Sequence, residues 1–187
     1  MCSPLGHCLM GLSASQAQYS KPLVTNFGVF LLIIVSANAA DLDFVPGFLI
    51  GDINRYHHGI SHSLGFALLY ASLVCLILAR CNPFSSRLVL FSHSALAYSS
   101  HLLADWLTKD QSAPFGIPLF WPISSSYQLS PVSLFTNIEH GPYGGSNSAV
   151  LDNIFSWHNV WAMTLETIII GPIFAFLLWR RYRQNQA

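Results

Sequence analysis

Four long apolar runs divide the chain, each closed by charged residues or by a turn signal. Leu23 to Ala40 follows Lys21 and Pro22 and stops at the acidic DLD of Asp41 to Asp43. Ile60 to Ala79 emerges from the polar run HHGISHS and ends at Arg80, with Asn82 and Pro83 marking a turn. Leu88 to Leu107 is the third run, and Val160 to Trp179 is the fourth, leading into the basic tail Arg180 to Arg183. A run of about 20 apolar residues matches the hydrocarbon thickness of a bilayer, so the pattern predicts about four spanning helices. Gly171-Pro172 predicts a kink in the last.

A shorter apolar segment, Pro4 to Tyr19, precedes them, and as a helix it reaches about 22 Å. Either it crosses most of the bilayer and sets His7 level with the other histidines, or it lies flat in the interface. Between the third and fourth runs, about 50 residues from Thr108 to Asn159 are rich in Pro, Gly, Ser and aromatics and begin with FGIPLFWP, Phe115 to Pro122. A loop of that length is commonly functional or disordered. Its aromatic content predicts a lid resting at the membrane interface.

Composition agrees with this pattern. Only 9% of the 187 residues are charged against 52% hydrophobic, where a soluble domain has about 25% charged, and the mean hydropathy is +0.47. The fold class expected is therefore all-α: one integral membrane helical bundle of about four transmembrane helices over residues 1–187, with a short N-terminal helix and a long non-cytoplasmic loop. Eight basic residues balance eight acidic ones, so no net charge draws the chain to nucleic acid. Cys2, Cys8, Cys75 and Cys81 show no zinc-finger spacing and read as packed thiols. The N-terminus lacks the pattern of a cleaved signal peptide, and no feature of the chain indicates an oligomeric state.

Basic residues give the orientation, because cytoplasmic loops are enriched in Lys and Arg. If the four helices alternate, Lys21, Arg80, Arg87 and the Arg180 to Arg183 tail share one side, and only Arg55 and Lys109 fall on the other. The latter side carries Asp41, Asp43, Asp52, His57, His58, His62 and Asp105. The expected topology is multi-pass in the inner (plasma) membrane with these residues on the non-cytoplasmic face.

Their chemistry points to a divalent metal. His101 and Asp105 stand four apart near a helix C-terminus, on one face and where the macrodipole favours a cation. Asp41 and Asp43 follow another helix end, and His58 and His62 share a face if the second helix starts early. Imidazoles and carboxylates together suit zinc or a similar ion. His93 and Glu166 lie deeper, where ionisable groups are costly and are usually paired. The simplest reading is a structural hydrogen bond between them, and the competing one is a partner that orients a metal-bound histidine.

DLDF (Asp41 to Phe44), HHGISHS (His57 to Ser63), HLLADWLT (His101 to Thr108) and GIPLFWP (Gly116 to Pro122) resemble, in that order, the YdjM-like family of inner-membrane proteins, described as metal-dependent hydrolases. The motifs cover about residues 1 to 125. His57 and His62 match the histidines of the family's HRG(F/I)(T/S)HS pattern, and His58 replaces its arginine. The family is in turn distantly similar to zinc-dependent phospholipase C and P1-type nucleases. That similarity implies a ligand set of His101, Asp105, His62 and Asp43 or Asp41, with His57 as a further ligand and His7 as an early one, holding one or two zinc ions. It also implies a metal-activated water that attacks an ester, with Asp41 or Asp43 as the base. Membrane lipid is the surrounding partner, and a phospholipid is the most accessible substrate, because its headgroup ester lies at the level of the helix ends. A metal carrier or transporter would instead place its polar groups near the midplane. A scaffold with a structural metal would need a closed four-ligand site.

Overall fold

The computed structural model describes residues 1–18, 26–81, 86–110, 115–141 and 147–186. Lys21, Pro22, the start of the first apolar run at Leu23, and the turn at Asn82 and Pro83 lie outside the described residues. Among those described the chain is all-helical, with no strand. Its helices are α1 (Pro4–Gln18), α2 (Phe27–Ala37), α3 (Phe44–Leu49), α4 (Leu64–Cys81), α5 (Arg87–Trp106), α6 (Asn147–Ile154) and α7 (Trp157–Gln184), and a single 3-10 turn, Ala40–Asp43, joins α2 to α3.

α2 begins where the Asn26 side chain accepts the Val29 N–H, and it ends at Asn38, whose side-chain amide donates back to the Ile34 carbonyl. The chain then turns by 50° into the 3-10 turn and α3. The first apolar run therefore does not stay helical to Ala40, and this bend carries Asp41 and Asp43 off the helix axis. Likewise α4 starts at Leu64 rather than Ile60. Successive turns occupy 52–63, closed by backbone hydrogen bonds from Arg55 to Asp52, His57 to Asn54, Gly59 to Tyr56 and His62 to Gly59. The third run is helical as expected. The fourth extends at both ends and passes through Pro172 as one helix.

α5 is the central element, packed against α1, α2 and α4, and α7 closes the bundle on the other side of α1. Small residues allow this. A Cβ on Gly11 of α1 would stand 2.7 Å from the Ala37 Cβ of α2, so the two helices close over Leu12, Ile33 and Ala97. A second cluster, of Ala40, Ala67, Tyr98, Leu102 and Ile117, lies just below the polar end.

Outward faces are strongly apolar. α4 exposes Leu68, Leu69, Leu73, Leu76 and Ile77, and α7 exposes Trp161, Ile168, Ile173, Phe176 and Trp179. Among the described residues α7 is the one helix long and apolar enough to cross a membrane alone, and the bent pair Phe27–Ala37 and Ala40–Leu49 makes a second candidate. α4 is apolar but shorter, and α5 carries Ser94, Ser100, His93 and His101 inward, which lowers its hydropathy. Arg87 and Asp105 stand at opposite ends of α5, about 27 Å apart along its axis.

The segment 115–141 is hung on the polar end of the bundle. Leu64 and Gly65 donate to the Leu119 and Trp121 carbonyls, Lys109 donates to Phe135, and Ile138 donates to Met1. Gly116 sits at φ 85°, where a Cβ would collide with the Gln128 carbonyl. The loop is an ordered cap on this end, with Phe120, Ile123, Leu129 and Val132 exposed at its tips.

Candidate metal centre

The bend after α2, the turns of 52–63 and the last turn of α5 converge on one point. His101 presents Nε2 there because its Nδ1 is fixed 2.8 Å from the Ala37 carbonyl, the arrangement that sets a tautomer and aims the other nitrogen. One turn later, Asp105 takes the Cys2 backbone N–H on Oδ1 at 2.7 Å and turns Oδ2 inward, 3.1 Å from His101 Nε2. His62 faces both through Nε2, at 3.3 Å from His101 Nε2 and 3.3 Å from Asp105 Oδ2. Asp41 Oδ1 completes the group at 3.5 Å from each of the two imidazoles.

These four atoms could hold one metal ion. Ligands about 2.0–2.1 Å from a tetrahedral ion lie about 3.3 Å from one another, and the distances given above for these atoms run from 3.1 to 3.5 Å. Asp41 Oδ1 and Asp105 Oδ2 are buried without a hydrogen-bond partner among the described residues, and carboxylates in that state are costly unless a cation joins them. The donor set of two imidazoles and two carboxylates therefore fits a divalent ion.

Asp43 plays a different part from Asp41. Its Oδ2 accepts the Ser61 hydroxyl at 2.7 Å and lies 3.2 Å from His62 Nδ1, and its Oδ1 lies 3.2 Å from His57 Nδ1. It thus holds His62 by the nitrogen opposite the four-atom centre, and His57 by an Nδ1 that also stands 3.9 Å from Asp41 Oδ1 of that centre. A second possible metal group is Asp41, Asp43 and His57, and a third is His57, His58 and His62, so Asp41 is shared between neighbouring sets.

His7 is fully buried, its Nε2 3.4 Å from Asp105 Oδ1 and 3.9 Å from Asp41 Oδ2. α1 therefore brings His7 to the cluster, as the first of its two expected placements requires. His58, held at φ 58° by the tight turn, packs against His57 and His62 and stands 4.0 Å from Asp105 Oδ2. His58 and His62 meet through this turn and not along one helix face, because the helix begins only at Leu64. Burial holds the His57 and His58 imidazoles below their ordinary range, which favours the neutral form a metal needs, whereas Asp105, Asp41 and Asp43 hold His62 well above it against its burial, so His62 would give up a proton on taking an ion. Burial beside His57 pushes His140 down to about 3, and its Nδ1 meets Asn54 Oδ1 at 2.9 Å.

The two deeper residues part company. Glu166, fully buried, accepts the Ser3 backbone N–H at 2.9 Å and the Ser3 hydroxyl. Ser3 also caps α1 by accepting the Gly6 N–H at 3.0 Å. The expected pairing of Glu166 with His93 is replaced by this one, because the N-terminus folds back beside α7. His93 stands two turns before His101, about 12 Å further along α5, and takes no place in the cluster. Sequence reasoning missed Ser61, Cys2, Ser3 and the Ala37 carbonyl. Ser61 lies inside HHGISHS and had a motif to flag it, whereas the others act through backbone groups or through the fold of the N-terminus.

A cleft of about 710 Å3 opens beside the cluster, lined by Asp43 and His57 together with Arg55, Phe66, Tyr70 and Tyr127, within the size range of ligand pockets.

The sequence profile of the YdjM inner membrane protein family matches residues 1–187. The chain belongs to this family. The match takes in α6, α7 and the loop as well as the four motifs, so the family relation extends to the whole YdjM chain rather than its first two-thirds. No curated protein and no solved structure matches it.

Proposed function

We propose that this YdjM protein is a membrane-bound, metal-dependent hydrolase acting on an ester at the bilayer surface, with a phospholipid phosphoester as the substrate class. The observation that carries the reading is a ligand-sized cleft that reaches Asp43 and His57, which form a second possible metal group with Asp41 and adjoin the four-atom set, although none of those four residues itself lines the cleft. Asp41, His62, His101 and Asp105 would hold the ion, and zinc is an ion that takes both imidazole and carboxylate donors. Four protein ligands fill a tetrahedral shell, so such an ion would supply an acidified water and positive charge for a developing oxyanion from a fifth position, or after one carboxylate yields its place. Asp43 lines the cleft and lies outside the four-atom set, which suits it to accept the proton released in the attack. His57, 3.2 Å from Asp43, steadies that carboxylate and extends the path for the proton toward the cleft.

In this reading α2 with its bent continuation, α4, α5 and α7 all cross the membrane, and the cluster faces the non-cytoplasmic side. The arginine-rich helix ends then face the cytoplasm, as the positive-inside rule favours. The exposed apolar tips of 115–141 rest in the interface. Reporter fusions at the α4–α5 hairpin are expected to read cytoplasmic, and a non-cytoplasmic readout would reverse the topology.

Purified, metal-replete protein is expected to cleave a phospholipid in a panel of lipids and phosphodiesters, and His101→Ala to abolish that cleavage. A panel in which nothing is cleaved, together with retained metal, would favour a structural ion closed off by its four ligands.

A further inference from the structure

The cleft beside the cluster does not end at the polar residues. Next to it lies a second cavity of about 320 Å3, lined by Leu31, Val35, Val74 and Leu78; Tyr70 borders both, and its hydroxyl stands 3.3 Å from Ser36 Oγ of α2. On α4 the lining residues Phe66, Tyr70, Val74 and Leu78 recur every four positions, on one face. The two cavities therefore follow one another along α2 and α4 as a groove of about 18 Å from Phe66 to Leu78, crossed by the Tyr70 side chain, over which a chain lying in it must pass. Half of a hydrocarbon core is about 15 Å, so the groove reaches from the helix ends to near the bilayer centre.

We infer that this groove holds one acyl chain of a membrane phospholipid, with the lipid phosphate at Arg55 beside His57 and Asp43. The inference rests on the hydrolase reading for what happens to that lipid, but not for its binding. Shape argues for a chain: the lower cavity holds about 320 Å3 and is lined by Leu31, Leu32, Val35, Val74, Ile77 and Leu78, along about 12 Å of α4 from Tyr70 to Leu78. Charge argues for a phosphate. Arg55 is the arginine on the rim of a cleft whose other polar lining groups include Asp43, His57 and Ser61, and a guanidinium suits a phosphate bidentately. Position argues for a substrate or its product, because the polar end of the groove is lined by two residues of the cluster, Asp43 and His57.

The test uses the full chain in nanodiscs, stripped of metal, with a phosphatidylglycerol probe carrying a diazirine on one acyl chain. After irradiation, adducts are mapped by peptide mass spectrometry. They are expected to concentrate in 28–35 and 66–78. Val74→Trp, which fills the groove, should cut this labelling by about fivefold or more, the loss typical when an anchor is displaced from its pocket, while metal reloading stays normal. Arg55→Gln should weaken labelling by this probe but not by a diacylglycerol probe that lacks phosphate. Adducts spread evenly over the exposed faces of α4 and α7, or labelling unmoved by Val74→Trp, would overturn the inference. Groove labelling in the stripped protein together with no lipid cleavage after metal is reloaded would instead remove the hydrolase reading and leave the lipid site standing.

Discussion

His7 stacks on His101 with ring centroids 3.6 Å apart and planes inclined by only 16°, joining the first turn of α1 to the last turns of α5. The contact fixes the His101 ring from the face that Ala37 does not hold, and it carries His7 Nε2 to Asp105. His7→Ala is expected to lower zinc affinity by about 10–100-fold, the usual effect of removing a group that orients a ligand. His7→Phe keeps the stack and should recover part of the loss. Competition with a chromogenic chelator measures both, and equal affinities for wild type and His7→Ala would remove His7 from the site.

Asp43 should behave as an orienting carboxylate and Asp41 as a ligand. Asp43→Asn weakens the hold on His57 and His62 and is expected to cost about 10–100-fold in metal affinity, whereas Asp41→Asn should cost more. The same competition assay ranks them, and the reverse order would exchange their roles.

Ser3 serves two masters, as cap of α1 and as donor to the buried Glu166. Ser3→Ala should destabilise the protein by about 1–3 kcal/mol, read as a lower midpoint of thermal unfolding in detergent. Glu166→Gln should be milder, because an amide oxygen still accepts from Ser3. A larger loss in Glu166→Gln than in Ser3→Ala would mean that the charge itself matters.

Buried histidines make stability depend on pH. Burial lowers the folded-state pKa of His57, His58 and His140, the last from 6.5 to about 3. At these three groups the unfolded chain therefore binds protons more readily than the folded one. The stability linked to them is complete above about pH 6.5 and is lost as the pH falls toward 3. His62, held well above its ordinary range by Asp105, Asp41 and Asp43 against its burial, works in the opposite sense, so the His140 share is read as a difference: between pH 8 and 4 the unfolding midpoint of His140→Gln should fall less, or rise more, than that of wild type. The same pH dependence in both would contradict the burial of the His140 ring.

The parts of this site that lie on regular helix were legible in the sequence. His101 and Asp105 face one point because four residues make one turn, and the apolar runs located the helices that position them. Where local geometry breaks the period, the sequence was less informative. The bend at Asn38 and the turns of 52–63 decide how Asp41, Asp43, His57 and His62 meet, and no periodicity reports them. The pairing of Glu166 with Ser3 depends on how the N-terminus folds beside α7, which no local pattern encodes. α5 reads as a spanning helix by its length, yet its inward Ser94, Ser100, His93 and His101 make it less apolar than α7.

The metal centre is tested most directly by the metal content of the purified protein, measured by elemental mass spectrometry on wild type, His101→Ala and Asp105→Ala. Wild type is expected to retain close to one equivalent or more of a divalent ion, zinc foremost, and both variants to lose most of it while still folding. Equal metal content in all three, or none in wild type after reconstitution with zinc, would contradict a centre built on His101 and Asp105.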